Sequence, residues 1–318
     1  MSRMVGRQDS VGWIRPSGVA ELEVLDRWAQ AVGPPLIQTP APSPGGKLHE
    51  LTFAVWNTNV GAGDLDAFVT DLKRGALTFG QPVKDFVLLL QEVHRSGPDV
   101  PGVSPSAAGA ARIEGLPPKG PRLGIDAYAE RARLALFYVP SMRNGVFSED
   151  RGNAILSTLP LSALRAFELP FERERRVAVA ARVQFVSGSG FAESLSLVNV
   201  HLDPRSAGWR LHRSLGAGRE RQAKWLLRVL DEKVPTLLAG DFNTWVRGEN
   251  EHAISHIKSR FAAPATDGGT LAVSRFFPSL RLDHAFFRLP KEWRFECHVA
   301  ERAYGSDHHA IVGRVHVE

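Results

Sequence analysis

Four polar side chains stand at or just past the ends of apolar runs with strand character: Asn57, Glu92, His201 and Asp241. Continuous apolar runs of this length are typical of strands buried on both faces. In α/β sheets, ligands bind beyond the carboxyl ends of the strands, so we expect these side chains to converge at one rim. An amide, two carboxylates and an imidazole indicate a site for a hard cation and a phosphate group.

A second group of residues adds a candidate base. Asn243 follows Asp241 by two positions, and side chains at that spacing in an extended chain point to the same side. Asp283 stands at the start of a later apolar run, where an acid is costly to bury unless it has a partner. His308 comes just before the last apolar run. A histidine held by an acid has a fixed tautomer and can accept a proton.

Alternating strands and helices must position these residues. Asp64 is a candidate N-cap, and Gly75 a candidate stop, for a helix with its apolar residues on one face. The predicted strands are 51–57, 86–92, 134–139, 154–158, 177–186, 195–201, 236–241, 282–287, 293–299 and 310–317. The predicted helices are 19–32, 65–74 and 219–232. The pattern favours a strand-rich α/β domain.

We expect two parts of unequal size: an N-terminal helix with a Pro- and Gly-rich strap over 1–46, and a catalytic domain over 47–318. Residues 33–46 contain five prolines and three glycines, which cannot continue a helix or a central strand. Residues 96–124, rich in Pro, Gly, Ala and Ser, are a second irregular segment.

The composition is that of an ordinary globular protein. Of 318 residues, 43% are apolar and 23% charged, which excludes a largely disordered chain and a fibrous repeat. Cys297 is the single cysteine, so no internal disulfide or cysteine-rich zinc site is expected. We find no apolar stretch of transmembrane or leader character. We therefore expect a cytoplasmic protein by default, and export with a removed leader stays open.

Seven short motifs occur in an order that resembles the endonuclease/exonuclease/phosphatase superfamily. They are Trp-Asn at 56–57, Leu-Gln-Glu at 90–92, Gly-Asn-Ala-Ile-Leu-Ser at 152–157, His-Leu at 201–202, Gly-Asp-Phe-Asn at 240–243, Arg-Leu-Asp at 281–283 and Ser-Asp-His at 306–308. The resemblance implies a four-layered α/β sandwich, with two mixed β-sheets packed face to face and helices outside. It also implies a phosphoesterase that uses Mg²⁺ or Mn²⁺.

The resemblance implies a role for each matched residue. Glu92 is similar to the principal metal ligand, with Asn57 and Asp307 as supporting ligands. Asp283 and His308 resemble the pair in which the acid orients the imidazole that helps to activate the attacking water.

The resemblance also implies roles for the remaining matched positions. Asp241 and Asn243 match residues that bind the phosphate or nucleophile, or a second metal. His201 matches a histidine that stabilises a non-bridging oxygen or the leaving group. Whether Asp241 or His308 removes the proton stays open.

Two departures argue against particular branches of the superfamily. Apurinic-site endonucleases usually carry an acid two residues after the strand-end asparagine, where this chain has Asn59. Inositol 5-phosphatases show Pro-Ala-Trp-Cys-Asp-Arg where this chain has Pro-Ser-Leu-Arg-Leu-Asp at 278–283.

The segment 205–228 holds seven Lys and Arg residues against the single acid Glu220. Beside a phosphodiester site, such a segment favours sequence-independent binding of a nucleic-acid backbone. A solvated helix face paired with acids elsewhere is the alternative. For Arg151 and Asn153, the alternative to substrate contact is that the segment 151–153 forms a turn before the next strand. For Trp245, the alternative is that the side chain packs under a loop. The candidate substrate contacts are Arg151, Asn153, Arg205, Arg210 and Trp245.

The leading hypothesis is a divalent-metal-dependent phosphodiester hydrolase that cleaves DNA, with RNA as a further candidate, by in-line attack of water and with little sequence specificity. The alternative is a phosphodiesterase or phosphatase for a small or lipid substrate, similar to a sphingomyelinase. A non-enzymatic binding module is a third reading, which the unbroken motif set disfavours. We expect a monomer with a nucleic-acid substrate and no transmembrane segment.

Overall fold

The computed structural model describes residues 10–39, 47–102, 122–144, 148–204, 216–245, 248–264, 268–272 and 280–317. Within these ranges the strands are β1 (Gly12–Ile14), β2 (Leu36–Gln38), β3 (Lys47–Leu48), β4 (Glu50–Asn57), β5 (Phe86–Ser96), β6 (Ala135–Arg143), β7 (Glu149–Ser157), β8 (Leu161–Glu168), β9 (Val177–Ser187), β10 (Ala192–His201), β11 (Thr236–Asp241), β12 (Asp283–Arg288), β13 (Arg294–Val299) and β14 (Ile311–His316). The helices are α1 (Val19–Ala29), α2 (Leu65–Lys73), α3 (Ile125–Ala132), α4 (Ala217–Val229) and α5 (His252–Lys258). Each of these helices is too short or too polar to cross a lipid bilayer.

The strands form two mixed sheets. Sheet A has the order β1-β8-β9-β10-β11-β12, with β3 also paired to β9. Sheet B has the order β13-β14-β4-β5-β7-β6-β2. Each sheet contains one interior parallel pair joined by a helix, β10-α4-β11 in sheet A and β4-α2-β5 in sheet B. A parallel pair requires such a crossover, and it brings both carboxyl ends to the same edge.

Three apolar clusters define four layers. Between the sheets, Phe53 and Val87 of sheet B pack with Val179 and Leu237 of sheet A. The outer face of sheet B packs against α2 and α3, and the outer face of sheet A packs against α4 and α5. The predicted four-layered α/β sandwich is therefore confirmed.

A buried amide bridge joins the two sheets beneath the strand ends. Gln91 Nε2 donates to Asn199 Oδ1 at 2.6 Å. Asn199 Nδ2 donates in turn to the carbonyls of Leu90 and Ala154 at 2.8 and 2.9 Å. Both amide side chains are fully buried. Because this network spans both sheets, it fixes their relative position where β5 and β10 approach the site.

The segment before residue 47 adds edge strands to the sandwich. β1 pairs with β8, and β2, which lies within the predicted strap, pairs with β6. Helix α1 ends at Ala29, shorter than predicted, and its Trp28 packs against Met142 and Phe171. The sequence analysis missed α3, α5 and β8, which lie between the motifs.

Candidate active site

The four residues predicted at strand ends meet in one cleft, although Glu92 lies inside β5, which continues to Ser96. Residue pairing in sheet A continues to the last pair, His201 with Asp241. In sheet B, Asn57 ends β4 opposite Gln91 of β5, so Glu92 follows at the same edge. The cleft has a volume of about 780 Å³. Its lining includes Asn57, Glu92, His201, Asp241, Asn243, Asp307 and His308, together with Arg151, Arg173, Arg176, Trp28 and Trp245.

Glu92 occupies a break in β5. Its φ is 52°, and the register between β5 and β7 shifts between Leu90 and Val93. A bulge of this kind redirects a side chain at a sheet edge. The Glu92 carboxylate lies 3.8 Å from Arg151 Nη1 and 4.0 Å from His201 Nε2, and the side chain is 21% exposed. It is therefore an accessible acid at the rim of the cleft.

Asp241 is buried and held by hydrogen bonds. Its Oδ2 accepts from Asn57 Nδ2 at 3.0 Å, and its Oδ1 accepts from the backbone N–H of Asn243 at 2.8 Å. The preceding residue must be glycine, since a Cβ on Gly240 would lie 1.8 Å from the carbonyl oxygen of Val200. Gly240 thus lets β11 lie close to Val200 of β10, and Asp241 follows it at the edge of the cleft.

His308 lies in direct contact with Asp283. His308 Nδ1 and Asp283 Oδ2 are 2.7 Å apart, and Asp283 is completely buried. The backbone N–H of Asp283 donates to Thr270 Oγ1. Although burial opposes it, the negative charge of Asp283 raises the pKa of His308 to about 10. Since Nδ1 contacts the acid, Nε2 is the imidazole nitrogen left for the cleft.

The carboxylates of the site are close enough to repel one another. Burial, and then the charge of Asp283, raise the pKa of Asp241 to about 7. Burial raises the pKa of Asp307, and the nearby Glu92 carboxylate raises it further. A bound cation would relieve this repulsion.

The oxygen donors fit a hard divalent cation. Glu92 and Asp307 offer two carboxylates at the accessible side of the cleft, which suits Mg²⁺ because it keeps several waters. A second group, Asp241, Asp283 and His308, has ligand atoms within 4.8 Å of one another. There His308 Nδ1 faces Asp283, and both oxygens of Asp241 accept hydrogen bonds, so this group is better suited to proton transfer.

His201 is oriented by an arginine that the sequence analysis missed. Arg176 Nη1 lies 3.0 Å from His201 Nδ1, and its Nη2 donates to Glu174 at 2.9 Å. A guanidinium can only donate, so Nδ1 accepts and the ring proton sits on Nε2. His201 Nε2 is 3.5 Å from Asp241 Oδ2 and presents a hydrogen-bond donor to the cleft.

The predicted substrate contacts divide into three groups. Arg151 and Trp245 line the cleft, and Trp245 is 41% exposed. Asn153 does not line it; its Nδ2 donates to the Val177 carbonyl at 2.8 Å, deeper between the sheets. Arg205 and Arg210 lie outside the described residues.

The described part of the basic segment is largely neutralised by acids. Arg219 is buried and pairs with Glu251, and Lys224 pairs with Glu220 at 2.7 Å. Arg221 pairs with Glu172 at 2.6 Å. These ion pairs agree with the alternative interpretation of the basic segment, in which its charges are paired with acids elsewhere in the chain. The arginines that line the cleft are instead Arg151, Arg173 and Arg176. The occurrence of three arginines within residues 173–176 was the sequence feature that could have indicated two of them.

The fold is a four-layered α/β sandwich with an acidic and arginine-lined cleft, and comparison with known proteins specifies the family. The model of the Endonuclease/Exonuclease/phosphatase family matches residues 54–308, so the chain belongs to this family. Its members are hydrolytic phosphoesterases that typically use divalent metals. Comparison with curated proteins gave no match.

Solved structures of low sequence identity share the fold. An endonuclease/exonuclease/phosphatase from Beutenbergia cavernae DSM 12333 has a TM-score of 0.59 and 20% identity, over 85% of this chain and 72% of that chain. A family protein from Leptotrichia buccalis C-1013-b has a TM-score of 0.54 and 16% identity, over 84% and 99%. A functionally unknown conserved protein from Enterococcus faecalis V583 has a TM-score of 0.52 and 16% identity, over 84% and 100%.

Proposed function

We propose that the protein is a divalent-metal-dependent nuclease that hydrolyses phosphodiester bonds of DNA, with RNA as a further substrate and with little sequence specificity. The observation that carries this proposal is the composition of the cleft at the strand ends. Acidic side chains and His308, which contacts the buried Asp283, share it with Arg151, Arg173 and Arg176. Arginines next to a carboxylate centre suit a polyanionic substrate whose backbone, not its bases, is recognised.

Glu92 and Asp307, supported by Asn57, are the residues we assign to Mg²⁺ or Mn²⁺. When bound, the ion supplies positive charge that polarises the phosphate and stabilises the charge that develops on it. The carboxylate pair supports this assignment because burial and mutual repulsion disfavour two negative charges there without a cation.

The chain's own residues supply hydrogen bonds and proton acceptors. His201, held by Arg176, donates from Nε2 to a non-bridging phosphate oxygen. Asn243 helps to hold the phosphate. A water attacking in line with the leaving oxygen gives its proton to Asp241 or to His308 Nε2, the two candidate bases; with its pKa raised to about 10, His308 can accept a proton only in the fraction of molecules in which its imidazole is neutral.

The test is a metal-dependent activity panel on the full chain. Substrates are duplex DNA, single-stranded DNA, RNA, bis-p-nitrophenyl phosphate and sphingomyelin, each with Mg²⁺ or Mn²⁺. We expect salt-sensitive cleavage of DNA that EDTA abolishes and that His308→Ala removes. Arg228→Ala, an exposed change on α4 outside the cleft, is the matched control and is expected to keep activity.

Two results would overturn the proposal. Absence of cleavage of every nucleic acid with both metals would exclude a nuclease. Release of phosphocholine from sphingomyelin without cleavage of nucleic acid would favour the lipid alternative instead.

A further inference from the structure

The segment between β8 and β9 contains three arginines, two of which are already paired. Arg175 pairs with the buried Glu168 at 2.5 Å. Arg176 contacts Glu174 and His201. Arg173 is exposed and lines the cleft, and its guanidinium has no partner in the described part of the chain. One cation of this segment is therefore left for a ligand.

The backbone that carries Arg173 is fixed in place. The backbone N–H groups of Arg173 and Glu174 both donate to Asp203 Oδ2 at 3.0 Å, and Asp203 is completely buried. The N–H of Asp203 donates to Gln222 Oε1 on α4, and Gln222 Nε2 donates to the carbonyl of Pro170. Because this network ties the segment to α4, little backbone entropy is lost when the Arg173 side chain binds an anion.

We propose that Arg173 binds a second, non-scissile phosphate, so that the preferred substrate carries at least two phosphate groups. The inference rests on the proposed function, which assigns the first phosphate to the carboxylate centre and His201. A polynucleotide strand presents a neighbouring phosphate at each step. Arginine pairs with phosphate through two parallel hydrogen bonds, which makes it well suited to this contact.

The experiment measures binding, so it does not depend on turnover. Affinities of the full chain with Mg²⁺ are measured by calorimetry for thymidine 3′,5′-bisphosphate and for the 3′- and 5′-monophosphates. We expect the bisphosphate to bind about tenfold more tightly than either monophosphate, as for one charge-assisted contact. Arg173→Ala should bring this ratio close to one without weakening the monophosphates, and Arg228→Ala should keep it.

An unchanged ratio in Arg173→Ala, an equal loss for all three nucleotides, or no binding of the bisphosphate would overturn the proposal. Arg173→Lys, expected to restore part of the ratio, and a thermal unfolding curve separate a lost contact from misfolding. Plasmid cleavage by the wild type is assayed separately. If the wild type did not cleave plasmid, the proposed nuclease function would be wrong. The affinity ratio would still test the role of Arg173 independently.

A further ligand distinguishes the source of the second phosphate. The affinity of inositol 1,4-bisphosphate is measured for the wild type and Arg173→Ala. If Arg173→Ala weakened its binding more than it weakened binding of thymidine 3′,5′-bisphosphate, the result would support the second-phosphate site and count against nucleic acid as the substrate.

Discussion

Two equivalent strand–helix–strand units build opposite sides of the cleft, and they differ in how they end. In β10-α4-β11 the register holds to the final pair, and Asp241 is buried and hydrogen-bonded on both oxygens. In β4-α2-β5 the register also holds to its final pair, Asn57 with Gln91, but β5 continues past it and its register with β7 shifts around Glu92. The Glu92 side chain is 21% exposed and lies 3.8 Å from Arg151 Nη1. The same architecture thus yields one accessible carboxylate, suited to a cation, and one buried carboxylate, suited to hold a proton or a phosphate.

Replacing the buried acid that holds His308 should have the largest effect. Asp283→Asn removes the charge that orients the imidazole, and we expect kcat to fall by about 10²- to 10⁴-fold. Metal affinity, which we assign to the accessible unit, should stay within about twofold of the wild type when measured by Mn²⁺ titration. A kcat within a factor of two of the wild type would contradict the role of this pair.

Changing the accessible acid Glu92 should mainly alter the metal requirement, whereas Asp283→Asn mainly lowers kcat. Glu92→Gln keeps the shape but removes the negative charge, so we expect the Mg²⁺ concentration for half-maximal activity to rise by about 10- to 100-fold. Saturating metal should restore part of the rate. If Glu92→Gln left the metal requirement unchanged, the assignment of Glu92 as a metal ligand would be wrong.

The buried acid should also reduce stability in the metal-free protein at high pH. The raised pKa of Asp241, about 7 against an ordinary 3.8, contributes stability below pH 4 that is lost as the pH rises through 7. Asp241→Asn should therefore stabilise the metal-free protein at pH 8, on the order of 2 kcal/mol. Denaturant unfolding at pH 8 and pH 4 measures this difference, which should be smaller at pH 4. A variant less stable than the wild type at pH 8 would contradict it.

A smaller effect is expected from the arginine behind His201. Arg176→Met frees the imidazole to change tautomer, and we expect kcat to fall by about tenfold with metal affinity unchanged. Nitrogen NMR of the histidine ring reports the tautomer directly. A spectrum that still showed the proton on Nε2 would mean that Arg176 does not set it.

The sequence predicted the strand ends of the site because burial is encoded locally. The strands predicted at 51–57 and 236–241 end where their apolar runs end, so Asn57 and Asp241 could be predicted at the strand ends. The bulge at Glu92 was not predicted, since it depends on the pairing of β5 with β7.

Contacts between sheets were also beyond prediction from local pattern. Arg151 and Asn153 share a face of β7, yet Asn153 lies two residues deeper and bonds to Val177 across the core. Arg219 belongs to a basic run, but its partner Glu251 is 32 residues away in sequence. Net charge of a segment does not reveal which of its cations are already neutralised.

The most direct measurement of the central claim is the Mg²⁺ dependence of bis-p-nitrophenyl phosphate hydrolysis by the wild type and His308→Ala. We predict a saturable rate for the wild type that EDTA abolishes, and no rate above background for the variant. A wild-type rate unaffected by EDTA, or equal rates for the two proteins, would contradict a cation-assisted phosphodiester hydrolase in this cleft.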